Sequence, residues 1–101
     1  MFDCKLKLNF SKIYSRSEFA DDATLGIGNA TRSEAMELGH AWVGANYTTA
    51  SDGKTLVSAD GLRQFKSPSF KPRLGITQAN LEWRNIARGQ WQGNGHLDIT
   101  D

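Results

Sequence analysis

Hydrophobic positions follow two different periods along this chain, and the change falls shortly after residue 44. Before it, the stretch TRSEAMELGHAWVG (31–44) places Ala35, Leu38, Gly39 and Trp42 on one helical face. Thr31 and Glu34 stand at capping-box spacing and Gly44 offers a stop, so the spacing predicts a helix whose marked face is core. Beyond it the period shortens to two. ITQANLEWR sets Thr77, Ala79, Leu81 and Trp83 against Gln78, Asn80, Glu82 and Arg84, and HLDIT sets Leu97 and Ile99 against His96, Asp98 and Thr100. KTLVSADGLRQFK carries two short β-compatible runs around Ala59-Asp60-Gly61, a hairpin signal. In SPSFKPRLG the two prolines are expected to keep the backbone out of a regular ladder.

Two segments resist this reading. The opening MFDCKLKLNFSKIY alternates as a strand through Phe2, Cys4, Leu6, Leu8 and Phe10, yet Phe2, Leu6, Phe10 and Ile13 also fit a helical face. SEFADDATLGIGNA (17–30) reads as an irregular connection, with Gly26, Gly28 and Asn29 in its second half. One helix followed by antiparallel strands gives an α+β domain. If the last strand pairs with the one before it, His96 and Asp98 share a surface with Gln78, Asn80, Glu82 and Arg84. That surface is rich in Asn and Gln, which β propensity disfavours on a merely solvated face.

Length bounds the organisation: 101 residues make one domain, 1–101, with a modest core and no room for a separate cofactor domain. With 39% hydrophobic and 23% charged residues, the composition argues against global disorder and against a membrane class. No apolar run approaches the ~20 residues that span a bilayer, so membrane insertion by this domain is not expected. No signal-peptide pattern opens the chain, so any export signal is expected to lie elsewhere. The single cysteine, Cys4, forbids an internal disulfide and a cysteine-rich zinc site, and among alternating apolar residues it reads as a small buried hydrophobe.

Charge changes the picture more than its total of +1 suggests. Residues 1–53 hold five Lys/Arg against seven carboxylates, residues 54–91 hold seven against two, and residues 92–101 hold none against two. The middle segment is therefore a candidate anion-binding surface. Within it, RQFKSPSFKPR offers Arg63, Lys66, Lys71 and Arg73 with Ser67, Ser69, Phe65 and Phe70 among them. This is the mixture of cations, hydroxyls and rings that single-stranded or looped RNA binding uses. The chain lacks a phosphate-binding Gly-rich loop, a dinucleotide fingerprint and a Gly-x-Ser-x-Gly elbow, which argues against ATP hydrolysis, hydride transfer and that esterase chemistry.

RNA cleavage without a metal needs a base for the ribose 2′-OH, cations for the phosphorane oxygens and an acid for the leaving 5′-oxygen. His96 suits either proton-transfer role, Asp98 is placed to orient it or raise its pKa, and Lys71 or Lys66 is the candidate partner. The competing interpretation is a non-catalytic RNA- or protein-binding module in which His96 and Asp98 decorate an exposed strand.

The long pattern GLRQF…KP…GITQAN…GNGHLDI, with SEAMELGHAWVGANY upstream, resembles the C-terminal toxin domains of bacterial polymorphic toxins. The likeness is particularly to the tips of filamentous-haemagglutinin and CdiA-type proteins of contact-dependent growth inhibition, and it covers roughly residues 33–100. The resemblance implies a barnase/EndoU/colicin/RelE-like fold, with N-terminal helices packed on a twisted antiparallel sheet. It thereby tips residues 1–30 toward a helical lead-in.

The activity implied is a colicin D-like tRNase, a metal-independent hydrolase that leaves 2′,3′-cyclic phosphate ends and needs no cofactor. Its implied partners are tRNA, a cognate immunity protein covering the cleft and, as a candidate helper, a translation factor. Such a domain is carried at the tip of a secreted or cell-surface exoprotein, consistent with an end at Asp101, and acts in the cytoplasm of a competing bacterium. Carried over on this basis are His96 as acid/base, with Lys71 and Arg73 at the phosphate and Thr100 as a hydroxyl contact. Arg63, Lys66, Ser69, Trp91 and Arg84 are carried over for RNA binding.

Overall fold

The computed structural model of the protein describes residues 23–101. The opening stretch, Cys4 and the first 22 residues of the expected helical lead-in lie outside the described residues.

Helix α1 spans Arg32–Val43 and begins where the capping box placed it: Thr31 Oγ1 accepts from the Glu34 N–H at 3.1 Å, and the Glu34 carboxylate accepts from the Thr31 N–H at 2.9 Å. Gly44, at φ 73°, ends it in a conformation that L side chains rarely adopt. The expected face is the buried one: Ala35, Leu38, Gly39 and Trp42, joined by Val43. Gly39 is required by packing, since a Cβ there would lie 2.3 Å from the Phe65 ring. The helix thus rests its backbone almost directly on the sheet.

That sheet has six strands: β1 (Ala23–Ala30), β2 (Thr48–Thr49), β3 (Thr55–Val57), β4 (Arg63–Lys71), β5 (Ile76–Trp83) and β6 (Gly93–Ile99), in the order β1-β6-β5-β4-β3-β2. β2 to β6 form an antiparallel meander, but β1 pairs parallel to β6, Ala23 opposite Gly93. The sheet is therefore mixed, where an antiparallel one was expected, and residues 23–30 are a strand, neither an irregular connection nor part of a helical lead-in.

The glycines that suggested a loop serve a bulge. Between Gly26 and Gly28 the register shifts, Gly28 takes φ 124°, and the extra residue, Ile27, is buried in the core. From β1 the chain must pass by way of α1 to β2 at the opposite edge, leaving β6 to be filled in beside β1 by the far end of the chain.

The prolines are accommodated in a similar way. β4 continues through Pro68 because Ser67 and Pro68 together oppose one residue of β5, a bulge between Lys66 and Ser69 that makes no demand on the missing N–H. The basic segment is consequently a strand and a hairpin end, whereas the sequence suggested a Pro-fixed loop.

Apolar side chains of the sheet meet α1 on one face only. Ile27, Leu56, Phe65, Ala79, Leu81 and Leu97 pack with Leu38 and Trp42 into one cluster, and the Trp42 indole N–H donates to the Glu82 carbonyl at 3.1 Å. Among the described residues no helix or strand packs on the other face, no helix is long and apolar enough to cross a membrane, and one helix, α1, is present.

Two aspartates organise the turns. Asp52 is held below the usual carboxylate range by the Lys54 N–H, then by the Thr55 hydroxyl and N–H. Asp60 is held below it by the Ser58 hydroxyl, then by the Leu62 N–H.

Candidate functional site

Strand alternation and register build a polar array on the face opposite α1. Its first row runs Gln64–Glu82–Asn94, the second Lys66–Asn80–His96 and the third Ser69–Gln78–Asp98, each crossing β4, β5 and β6. Hydrogen bonds stitch the rows across strands: Gln78 Nε2 donates to Asp98 Oδ1 at 2.8 Å, and Asn80 Nδ2 donates to Asn94 Oδ1 at 3.0 Å. The Asn and Gln side chains that fit poorly with simple solvation thus hold neighbouring groups in place.

Glu82 is the centre of the first two rows. It is only 9% exposed, accepts from Gln64 Nε2 and lies 3.5 Å from Lys66 Nζ, all at Oε1. A nearly buried carboxylate is tolerable because a donor and a cation both face it, and the bulge following Lys66 lets β4 present that cation here. Its other oxygen has no partner among the described residues.

His96 lies one row along, in β6, its ring over the backbone of β1. A Cβ on Gly26 would come within 3.3 Å of His96 Nε2, so glycine at that position makes room for the imidazole. Asp98, expected to orient this ring, is instead engaged with Gln78, two residues further along the same face.

The other sequence candidates divide among five places. Lys66 and Ser69 join His96 on the polar face. Lys71 ends β4, and Arg73 sits in the β4–β5 turn, which closes through Leu74 and Gly75 N–H groups donating to the Lys71 carbonyl. Arg63 lies on the α1 side, its guanidinium 5.7 Å from the Trp42 ring centroid. Arg84 and Trp91 stack on each other at 3.9 Å in the β5–β6 connection, where Arg84 also donates to the Gly61 and Gly89 carbonyls. Thr100 follows β6 and bonds back to the Ala30 carbonyl.

Arg63 and Lys66 are thus separated by the sheet, and Arg84 has a structural task that ties two loops together. Glu82 and Gln64 were not singled out from the sequence as site residues. The signal available was the polar half of the ITQANLEWR alternation, which contains a single carboxylate, Glu82.

Among the described residues no three His, Cys, Asp or Glu side chains are grouped to share a metal ion. The fold and site define an α+β domain with one helix on a six-stranded mixed sheet, and a cation, a carboxylate and an imidazole on three adjacent strands of its polar face. No family model, no curated protein and no solved structure matches the chain.

Proposed function

We propose that this protein is a metal-independent endoribonuclease, the tRNA-cleaving toxin domain of a contact-dependent growth inhibition system, with a fold of the barnase/EndoU/colicin/RelE kind. The observation that carries the reading is the juxtaposition of Lys66, Glu82 and His96 on one sheet face. Glu82 and His96 are diagonal neighbours on paired strands, a separation of about 7–8 Å at the backbone. A ribose phosphate seated between them meets one proton-transfer group on each side.

In the proposed reaction Glu82 Oε2, the oxygen that neither Gln64 nor Lys66 contacts, takes the proton of the ribose 2′-OH. The 2′-oxygen attacks phosphorus in line, forming the new P–O bond as the bond to the 5′-oxygen breaks. His96, entering as imidazolium, gives its proton to that leaving oxygen. The products are a 2′,3′-cyclic phosphate and a free 5′-OH, and the proton balance closes when Glu82 gives its proton up to water and His96 takes one back from it. Lys66 offsets negative charge on the non-bridging oxygens, a role that demands a cation already in position, and its contact with Glu82 supplies that position. Base, acid and cation suffice for this displacement without a metal or cofactor. In the producing cell an immunity protein with an acidic surface is the partner that would cover this face, and a translation factor is a candidate helper in the target.

The test is total bacterial RNA incubated with the purified domain in excess EDTA, with and without cell extract. Wild type is expected to give discrete tRNA fragments ending in cyclic phosphate, while His96→Ala and Glu82→Gln each reduce the rate by roughly 10²- to 10⁴-fold. Intact tRNA under every condition would overturn the reading in favour of a binding module.

A further inference from the structure

Away from the polar array, the end of the β4–β5 hairpin exposes apolar and cationic side chains together. Phe70 and Leu74 are each 62% exposed, and Ile76 is 38% exposed. Between them stand Lys71 and Arg73, neither of which meets a carboxylate among the described residues. Lys71, Pro72, Arg73 and Leu74 line an open hollow of about 460 Å³. α1 does not shield this end: the helix packs over Phe65, while Phe70, five residues on and past the bulge, is left bare.

An exposed phenylalanine on the same hairpin end as two cations that meet no carboxylate among the described residues is a poor arrangement for solvation and a suitable one for a nucleotide, whose base needs a flat apolar partner and whose phosphate needs positive charge. Lys71 and Ile76 continue the polar face as the row beyond Ser69 and Gln78, whereas Phe70, opposite Thr77, alternates to the α1 side of the same hairpin end. From the His96–Asn80 row to the Ile76–Lys71 row is four residues of β5, roughly 13 Å. A single strand that covers this distance reaches Lys71 first and then turns round the hairpin end, past Arg73, to Phe70.

We propose that the hairpin tip is a second nucleotide subsite, in which Phe70 stacks a base and Lys71 and Arg73 hold the adjoining phosphates of a single-stranded segment. Resting on the ribonuclease reading, this makes the preferred substrate an RNA loop that stays unpaired for several nucleotides beyond the cleaved bond. A duplex cannot offer an unstacked base to Phe70.

The experiment compares a dinucleotide with an eight-nucleotide single strand of RNA, using the full chain and measuring kcat/KM for each. Phe70→Ala is expected to lower the ratio of octamer to dinucleotide kcat/KM by roughly 5- to 150-fold, with Phe70→Trp restoring it. Lys71→Ala/Arg73→Ala is expected to flatten the salt dependence of octamer binding, followed by fluorescence anisotropy. An unchanged ratio in Phe70→Ala, or equal losses on both substrates, would overturn the subsite.

Failure of the wild type to cleave any RNA would sink the ribonuclease reading alone, because anisotropy still tests the tip. Octamer binding lost in Phe70→Ala and kept in Phe70→Trp would sustain the subsite, and binding indifferent to both would remove it. Variants that keep octamer binding but lose an acidic immunity partner would reassign the tip to protein recognition and overturn the proposal.

Discussion

At the scale of single residues, the polar face depends on side chains that hold one another. Glu82 is placed by Gln64 and Lys66, Asn80 by Asn94, and His96 by the missing side chain of Gly26. His96 was legible as a candidate because histidine announces its chemistry by type. Glu82 was not, because its importance comes from the β4–β5 register and the bulge that brings Lys66 beside it, neither of which is written at position 82.

A different residue-scale effect is pH dependence in the turns. Asp60 has its pKa lowered in the folded state, so its contribution to stability is complete above the ordinary carboxylate value of about 3.9 and is lost as pH falls through the lowered one. Asp60→Asn is therefore expected to be less stable than wild type near neutral pH. The gap should narrow as the pH falls below the ordinary carboxylate value of about 3.9, as read from urea midpoints across the acid range. Asp52→Asn is expected to behave in the same direction.

At the scale of elements, the contrast between α1 and β4 explains which parts of the fold were readable. The helix was legible at both ends and on its buried face because its signals are local: a cap, a stop and a 3.6-residue period. β1 and β4 were obscured for one shared reason. Glycine and proline are punctuation in most contexts, but each also fits a bulge, and whether a bulge exists depends on the partner strand. The extra residue at each bulge lets a strand pass through a sequence that looks broken.

The close approach of α1 to β4 gives an expectation of its own. Gly39→Ala gains helix propensity but drives a methyl into the Phe65 ring, and the clash should prevail. A net loss of about 1–3 kcal/mol in chemical denaturation is expected. Unchanged stability would mean that Phe65 has room to turn aside.

For the whole molecule, the sheet order has a consequence for assembly. β6 lies between β5 and β1, so the last strand along the chain is an interior strand of the sheet and carries His96. Ending the chain after residue 92 would remove both the seam and the imidazole, and such a chain is expected to show neither a cooperative melt nor RNA cleavage. Circular dichroism on that truncation, beside the full chain, checks this.

During synthesis or refolding, the β1–α1 end and the β2–β5 meander wait for the same seven residues before one sheet exists. On the proposed ribonuclease reading, folding and completion of the candidate site are then one event. On that reading a chain short of β6 would lack activity for the same reason that it lacks a finished sheet, and completion of the fold would act as its safety catch.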